Sequence, residues 1–400
     1  MHEIDPSYGS SLHRGGREMQ RQDAERGTIL LDITHPAHLL RYVPLAQRFA
    51  ADGLKPFCIG REKEAIKRLL TSAGVQHESP RGFSTWRIPN TAALVLELLH
   101  RVAYLAIRIR RSDVRLVLTS NPTGCVAAWL VRRPVIFDTV DGRDVGIHHL
   151  LAAPFATIVT SPSSLGERLG DKHLRYRSYK ALAWLHPDGF APQDLTSVCV
   201  ADPDRPLVVI RAVAHRASHD RGISGFTEEQ LLDLVARIEA SGAQPIISME
   251  ADTQRLATSE ILRRRPDLLS SILASSSLVI SDGASVTEEA AVLGVPAIRL
   301  STPRGERDYL WDLERRYGLV TNIRVGDEER FDAVVDDHLA RLGTLRSDAE
   351  PARRRLLEEH HDGVKWYVDL VTAVLASESK GGKALVEELR RAGFDESPLE

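Results

Sequence analysis

The segment LVISDGASVTEEAAVLGVPAIRL, residues 278–300, predicts the architecture of this protein. An apolar strand leads into a turn of small residues, Asp282, Gly283, Ala284 and Ser285, and the turn passes directly into a helix. A second apolar strand follows the helix. Strands that alternate with helices form parallel sheets, because the connection between two parallel strands must cross the face of the sheet. The segment therefore predicts one repeat of a doubly wound α/β domain.

The same alternation extends in both directions from this segment. The first strand, TILLDI at Thr28–Ile33, is a nearly continuous apolar run of the kind that helices cover on both faces. A second series of strands and helices begins at residues 207–213, LVVIRAV, after a stretch rich in proline and aspartate that is typical of a connection between domains. The predicted division is a polar tail at 1–27, a Rossmann-like domain at 28–190, a linker at 191–206, a second Rossmann-like domain at 207–376, and a polar tail at 377–400.

The composition excludes several classes of protein. The 400 residues include 52 basic and 55 acidic side chains, so the net charge gives no argument for nucleic acid binding. No run approaches the roughly 18 apolar residues of a membrane-spanning helix, and the first residues lack a hydrophobic signal sequence. The three cysteines are widely spaced, which is typical of buried thiols in a reducing compartment. We therefore expect a cytoplasmic protein without an integral membrane segment, and peripheral membrane association and oligomeric state stay open.

The turn at residues 282–285 has the chemistry of an anion site. Small side chains allow backbone N–H groups to approach a phosphate, the Ser285 hydroxyl adds a donor, and the helix N-terminus contributes a positive dipole. Glu289 lies about one turn inside the helix, where its carboxylate can accept hydrogen bonds from two ribose hydroxyls. The alternative is that Glu288 and Glu289 only complement the helix dipole.

Residues 282–299, DGASVTEEAAVLGVPAIR, resemble the nucleotide-binding motif of the non-hydrolysing UDP-N-acetylglucosamine 2-epimerases, D-S-G-G-x-Q-E-E-A-P-x-L-G-x-P. They are also similar to the donor-site helix of the lipid II N-acetylglucosaminyltransferases. Both families have the GT-B fold, in which two Rossmann-like domains with parallel sheets face each other across a cleft. The resemblance implies that Glu289 binds the ribose and that the turn at Gly283 holds the diphosphate. Ala284 and Ser285 replace the paired glycines of the family motif.

A longer resemblance covers roughly residues 28–375 and connects the chain with the domain-of-unknown-function family 354, a GT-B-like group. It rests on four segments in addition to the turn. These segments are LLDITHPAH at 30–38, SYKALAWLHPDGF at 178–190, RAVAHRASHDRG at 211–222, and LERRYGL at 313–319. The resemblance implies the GT-B fold but no particular reaction, because that fold supports several activities.

Two residues of the first domain are candidates for a general base. His38 begins the helix after the first strand, where the lipid II transferases carry the histidine of a glycine-rich loop, and it could equally cap that helix. In the segment FDTVDG, which follows a strand, both Asp138 and Asp141 can face the cleft. Asp141 lies beside Gly142 and is the better exposed candidate.

The second domain supplies further candidates for nucleotide binding. Arg211 at a strand end, with Ser218 and His219 in the loop beyond, can donate to the same diphosphate. The histidines of this loop lack a convincing third and fourth partner for a metal ion, so we expect no metal site. Arg299 and the run Arg304–Asp308 follow the nucleotide-binding helix; they could contact a substituent on the sugar, but we expect them on the solvated surface.

These observations lead to one hypothesis and two alternatives. The first is a metal-independent, inverting glycosyltransferase that takes a sugar from a nucleotide diphosphate donor, expected to be a UDP-sugar, and passes it to a hydroxyl-bearing acceptor without a further cofactor. The second is a UDP-sugar epimerase, although the G-H-V-E-A-G-L-R segment of the epimerases is missing here. The third is a non-catalytic nucleotide-sugar-binding protein.

Overall fold

The protein is described from a computed structural model. The residues that the structure describes are 27–34, 36–60, 75–78, 91–140, 142, 148–195, 202, 204–213, 225–250, 252–253, 255–302, 308–378 and 381–397. The chain divides into two compact units. The first contains residues up to 161, 167–176 and 364–397, and the second contains 162–166 and 177–363.

Each unit is built on one sheet of parallel strands, with helices between the strands. The strands are β1 (Thr28–Ile33), β2 (Lys55–Gly60), β3 (His77–Glu78), β4 (Val114–Thr119), β5 (Val135–Asp138), β6 (Ile158–Pro162), β7 (His173–Tyr176), β8 (Leu207–Ala212), β9 (Gln244–Met249), β10 (Leu278–Ser281), β11 (Ala297–Ser301) and β12 (Val320–Arg324). The first sheet has seven strands in the order β3-β2-β1-β4-β5-β6-β7, and the second has five in the order β12-β11-β10-β8-β9.

The helices cover both sheets. They are α1 (Pro36–Ala51), α2 (Thr91–Arg111), α3 (Pro122–Leu130), α4 (His148–Ala152), α5 (Leu182–Leu185), α6 (Glu228–Ala240), α7 (Glu260–Arg264), α8 (Leu269–Ser275), α9 (Ala284–Val292), α10 (Asp308–Asp312), α11 (Glu328–Ala340), α12 (Leu345–Glu359), α13 (Gly363–Ala376) and α14 (Gly382–Arg391). A π-helical turn, Leu313–Tyr317, extends α10. The strand and helix alternation predicted from the sequence is confirmed.

The second sheet is held by an apolar layer on one of its faces. Alternate residues of β8 and β10, such as Ile210 and Ile280, pack against Leu234 of α6 and Val335 of α11, and all four are fully buried or nearly so. A capping box fixes the start of α6, because the Thr227 hydroxyl accepts from the Gln230 amide and the Gln230 side chain accepts from the Thr227 amide. Val209 and Val279, on the other face, are fully buried as well, so a ligand reaches this sheet at its carboxyl edge and not on a face.

The C-terminal region differs from the sequence-based division. A tail was expected at 377–400, but α14 covers Gly382–Arg391 and buries Leu385 and Leu389. Residues 364–397 belong to the first unit rather than to the second. Their attachment is polar as well as apolar, because the carboxylate of Asp395 accepts a hydrogen bond from the Arg175 amide at 3.2 Å. Apolar spacing predicts a helix but does not indicate which sheet it covers.

The segment at residues 178–190 also lies in a different unit from the one expected. It was assigned to the first domain, yet the second unit begins at residue 177 on this stretch of chain. The Arg177 carbonyl accepts from the His361 amide at 2.8 Å, and the Ser178 hydroxyl donates to the His361 carbonyl at 2.7 Å. These backbone contacts tie the start of the segment to the loop after α12.

Candidate functional site

The turn after β10 lies at the carboxyl edge of the second sheet, between the two neighbours of that strand. β10 pairs with β8 on one side and with β11 on the other, all in parallel. Ligands of doubly wound proteins bind outside this edge, because the loops that leave the strands diverge there. A row of polar residues in register crosses the sheet at the level of the turn. Its members are Ser248, Arg211, Ser281, Arg299 and Asn322.

The Asp282 carboxylate fixes the shape of the turn. One oxygen accepts from the Val213 amide at 2.8 Å and the other accepts from the Phe226 amide at 3.1 Å. Val213 and Phe226 stand on either side of the segment that carries Ser218 and His219. The carboxylate therefore holds both flanks of that segment to the turn. This role was not predicted from the sequence, since it depends on residues far along the chain.

Gly283 allows the turn to approach the end of β8. A Cβ atom at this position would lie 2.7 Å from Cγ2 of Val213, closer than carbon atoms can pack. The Gly283 amide is also used inside the turn, where it donates to the Ser281 hydroxyl at 2.9 Å. Gly283 thus shapes the turn, and the amides of the residues after it are the ones that can face a ligand.

Helix α9 begins without a side-chain cap. Gly283 is its N-cap residue and has no side chain to make a capping hydrogen bond, so α9 shares an uncapped start with other helices such as α11 and α12. The first turn of α9 contains no acidic side chain. The first N–H groups of a helix lack partners within it and carry the positive end of the dipole, so they bind anions. Ala284 and Ser285, both predicted to hold a diphosphate, occupy this first turn.

Glu289 is buried one turn further along α9, with only 3% of its surface exposed. Burial, together with the neighbouring Glu288, raises the pKa of its carboxyl group to about 7, although Trp184, Arg211 and Ser270 act in the opposite direction. The Ser270 hydroxyl stands 3.5 Å from Oε2. The Trp184 Nε1 makes no hydrogen bond within normal limits in the described structure, so its influence is that of a longer contact.

The two adjacent glutamates of α9 have different partners. Oε1 of Glu288 accepts from the Ala181 amide at 2.9 Å, directly before α5. This bond anchors the short helix that carries Trp184 to α9. Glu288 therefore has a structural role, whereas the hydrogen-bond contact of the Glu289 side chain within the described residues is the long one from the Ser270 hydroxyl. The alternative that both glutamates only complement the helix dipole does not account for this difference.

Of the two arginines in the polar row, Arg211 is half-buried and Arg299 is buried. Arg211 donates to the Ser248 hydroxyl at 2.9 Å and to Oε1 of Glu250 at 3.0 Å, so β9 orients its guanidinium. Arg299 is only 3% exposed. The expectation that Arg299 lies on the solvated surface is therefore wrong, because β11 is an inner strand of the sheet and the residue precedes its carboxyl end.

The carboxyl edge of the first sheet contains a buried ionic cluster around Asp138. Its carboxylate pairs with Arg41 of α1 and accepts from the Tyr367 hydroxyl of α13, from the Thr160 hydroxyl at 3.2 Å and from the Tyr176 hydroxyl at 3.3 Å. Asp138 is 2% exposed. With its oxygens occupied by four donors, it holds β5, β6, β7 and two helices together and is no free base.

The predicted site residues are placed to different extents. Arg211, Gly283, Ala284, Ser285 and Glu289 lie within the second unit at or near the carboxyl edge of its sheet. His38 lies in the first turn of α1, but its side chain is outside the described part of the structure. Asp141, Ser218 and His219 lie outside the described residues altogether. Among the residues that are described, no group of three or more metal-ligating side chains comes together.

No protein-family model matches this sequence, and no curated protein is significantly similar to it. The membership of family 354 that the motifs imply therefore stays an expectation. Solved structures, in contrast, match over nearly the whole chain.

The similar structures are GT-B glycosyltransferases and UDP-N-acetylglucosamine 2-epimerases. MnaA from S. aureus in a co-structure with UDP has a TM-score of 0.58 at 12% identity, over 94% of this chain and 100% of that one. The UDP-GlcNAc 2-epimerase from Neisseria meningitidis bound to UDP-GlcNAc has a TM-score of 0.55 at 13% identity, over 87% and 99%. The spinosyn rhamnosyltransferase SpnG, complexed with spinosyn aglycone, has a TM-score of 0.52 at 17% identity, over 86% and 100%. The predicted α/β fold class of GT-B type is confirmed.

Because Glu289 is buried, we predict that the free energy of unfolding depends on pH and that Glu289→Gln removes this part of the dependence. A carboxyl group whose pKa rises from 4.5 to about 7 on folding stabilises the native state below pH 4.5 and loses that contribution as the pH rises through 7. Relative to the wild type, Glu289→Gln should therefore gain about 3 kcal/mol of unfolding free energy between acidic and mildly alkaline pH. Denaturant unfolding at several pH values measures the difference.

The exposed Glu239 of α6 provides the matched control. Glu239→Gln makes the same chemical change outside the site, and its stability curve should run parallel to that of the wild type. A parallel curve for Glu289→Gln as well would contradict the burial of an ionisable carboxyl group at this position.

Proposed function

We propose that the protein is a metal-independent glycosyltransferase that transfers a sugar from a nucleotide diphosphate donor, a UDP-sugar, to a hydroxyl-bearing acceptor. The observation that carries the proposal is the start of α9, where an uncapped helix N-terminus follows a turn of small residues and precedes the buried Glu289. The resemblance of residues 282–299 to nucleotide-sugar enzymes supports it. The solved structures whose names include UDP, UDP-GlcNAc or a glycosyltransferase activity support it as well.

In the proposed reaction the charge of the diphosphate is the main quantity to stabilise. The bond between the anomeric carbon and the diphosphate oxygen breaks, and both electrons stay on the diphosphate. The amides of Ala284 and Ser285 and the dipole of α9 stabilise that growing negative charge without a metal ion. Arg211, held by β9, adds a positive charge at the same edge of the sheet.

The acceptor completes the proposed step. Its hydroxyl oxygen bonds to the anomeric carbon on the side opposite the leaving diphosphate, which inverts that carbon, and a base removes the hydroxyl proton. His38 and Asp141 are the bases that the sequence suggests, and both belong to the first unit. Asp138 is excluded from this role because its carboxylate is buried among four donors.

Glu289 is proposed to bind the ribose of the donor. An ionised carboxylate accepts one hydrogen bond from each vicinal hydroxyl, and those donors would replace the weak contact with Ser270. A nucleotide that lacks one hydroxyl leaves part of the carboxylate without a partner in a buried site, which is costly. The proposal therefore includes discrimination in favour of ribose.

An isomerase that acts on the same UDP-sugar is the second candidate. It is favoured by the similarity to structures that are named UDP-GlcNAc 2-epimerases. It is disfavoured by the missing G-H-V-E-A-G-L-R segment, which supplies catalytic acids in that family. Both candidates use the same nucleotide site and differ only in the need for an acceptor.

The first functional prediction concerns nucleotide affinity. The wild type should bind UDP in the presence of a chelator, and Glu289→Gln should lose about 1.5–3 kcal/mol of that binding free energy, the range for a charge-assisted hydrogen bond. Calorimetry with UDP and with 2′-deoxy-UDP measures both effects. The wild type should prefer the ribonucleotide, the variant should lose the preference, and Glu239→Gln should behave as the wild type. Equal preference in wild type and Glu289→Gln would contradict the ribose contact.

The second functional prediction concerns turnover. Incubation with a panel of UDP-sugars should release UDP only when an acceptor, supplied at first as cell extract, is present. His38→Ala should lower that rate by roughly 10²- to 10⁴-fold, as expected for loss of a general base, and change UDP affinity little. Conversion of one UDP-sugar into another without acceptor would identify an isomerase instead. An unchanged rate in His38→Ala would transfer the role of base to Asp141.

A further inference from the structure

One side of the first unit exposes a concentration of large apolar side chains. Ten such side chains are solvent-exposed among the described residues, and nine of them belong to α2, α3 and α4. Helix α2 packs against α3, and α3 packs against α4, so the three helices form one layer. Exposed apolar residues that occur singly are ordinary, but a grouped set marks a surface that binds something.

Helix α2 is apolar on two opposite sides. Leu105 and Ile109 are fully buried and face the sheet. At 100° per residue, Leu96 and Ile107 lie on the opposite side of the helix, and they are 61% and 48% exposed. An ordinary surface helix carries polar residues on that side, because only one apolar stripe can face the core. The outer stripe of α2 is therefore not explained by the packing of the unit.

The apolar layer continues across α3 and α4. Trp129, near the end of α3, packs edge-on against Phe155 at 5.3 Å between ring centroids and is still 55% exposed. Leu150 and Leu151 of α4 are exposed as well. A tryptophan with one edge packed and the rest in solvent is typical of surfaces that meet a boundary between water and apolar material.

Basic residues surround one end of this layer. Residues 91–133 contain seven arginines and two acidic residues, in a chain whose net charge is −3. Arg133 pairs with Asp113 at 3.2 Å, which joins the loop after α3 to the turn after α2. The exposed Arg110 and Arg111 at the end of α2 and the exposed Arg132 after α3 therefore belong to neighbouring parts of the layer. These arginines lie next to the exposed apolar residues. Such a combination complements a surface that carries negative charge on its outside and has apolar material beneath that charge.

We propose that the outer face of α2, α3 and α4 docks the protein on the surface of a membrane that contains anionic lipids. The exposed leucines and Trp129 enter the boundary between head groups and acyl chains, and the arginines contact the phosphates. No helix in the described part of the chain is long and apolar enough to cross a membrane, so the contact stays at the surface. A second copy of the chain fits less well, because it would bring arginine-rich faces together with few acids to pair them. The inference does not depend on the proposed function.

Vesicle co-sedimentation of the full-length protein tests the proposal. The wild type should sediment with mixed phosphatidylcholine and phosphatidylserine vesicles and much less with pure phosphatidylcholine. Arg110→Gln combined with Arg111→Gln should weaken binding to the mixed vesicles by about tenfold or more, since each surface arginine contributes to attraction by anionic lipid. Leu96→Gln combined with Leu99→Gln should also release the protein.

Leu40→Gln is the matched control, because Leu40 is the one large exposed apolar residue of the described chain outside the three helices. It should bind vesicles as the wild type does, and thermal unfolding should show that all variants remain folded. Wild-type protein that stays in the supernatant with both vesicles would overturn the proposal. Binding that Leu40→Gln weakens as much as the patch variants would overturn it too, and so would dimers in light scattering that the patch variants dissociate.

Discussion

The carboxylate of Asp282 joins three segments of the second unit, and the geometry of the candidate site depends on it. It sits in the turn after β10 and accepts from the Val213 amide after β8 and from the Phe226 amide before α6. Buried amides need partners, and an ionised acceptor gives stronger bonds than a carbonyl. Because these bonds fix the turn, Gly283 can contact the end of β8 and α9 can start directly after it. The exposed donors of that helix are thereby held in place before any ligand arrives.

The different contacts of Glu288 and Glu289 follow from the position of α9. Two glutamates in sequence on a helix point in directions about 100° apart, so they meet different neighbours. Glu288 reaches the Ala181 amide and anchors α5, which places Trp184 near Glu289. Glu289 is left buried, and burial together with the charge of Glu288 raises the pKa of its carboxyl group to about 7. A buried carboxyl group of this kind is costly to the fold, and such groups occur most often at functional sites.

The sequence was sufficient for the alternation of strands and helices and for the turn, because these depend on local pattern. The strand Leu278–Ser281 and the capping box at Thr227 could be predicted from a few adjacent residues. The role of Asp282 could not, since its partners are more than fifty positions away. The same limit applies to the burial of Arg299, which depends on the order of the strands in the sheet. It also applies to residues 364–397, because local pattern does not tell which sheet a helix covers. For His38, Asp141, Ser218 and His219, the side-chain positions stay predictions.

The central claim is that the amides at the start of α9 bind the diphosphate of a nucleotide. Hydrogen–deuterium exchange of the peptide that covers residues 282–290 tests it directly, with saturating UDP in one sample and uridine in the other. The first amides of a helix have no intrahelical partner and exchange readily unless a ligand accepts their hydrogen bonds. UDP should slow the exchange of Ala284, Ser285 and Val286, and uridine should leave it unchanged. Saturation with UDP that protects other segments and leaves these three amides at their free rate would contradict the account.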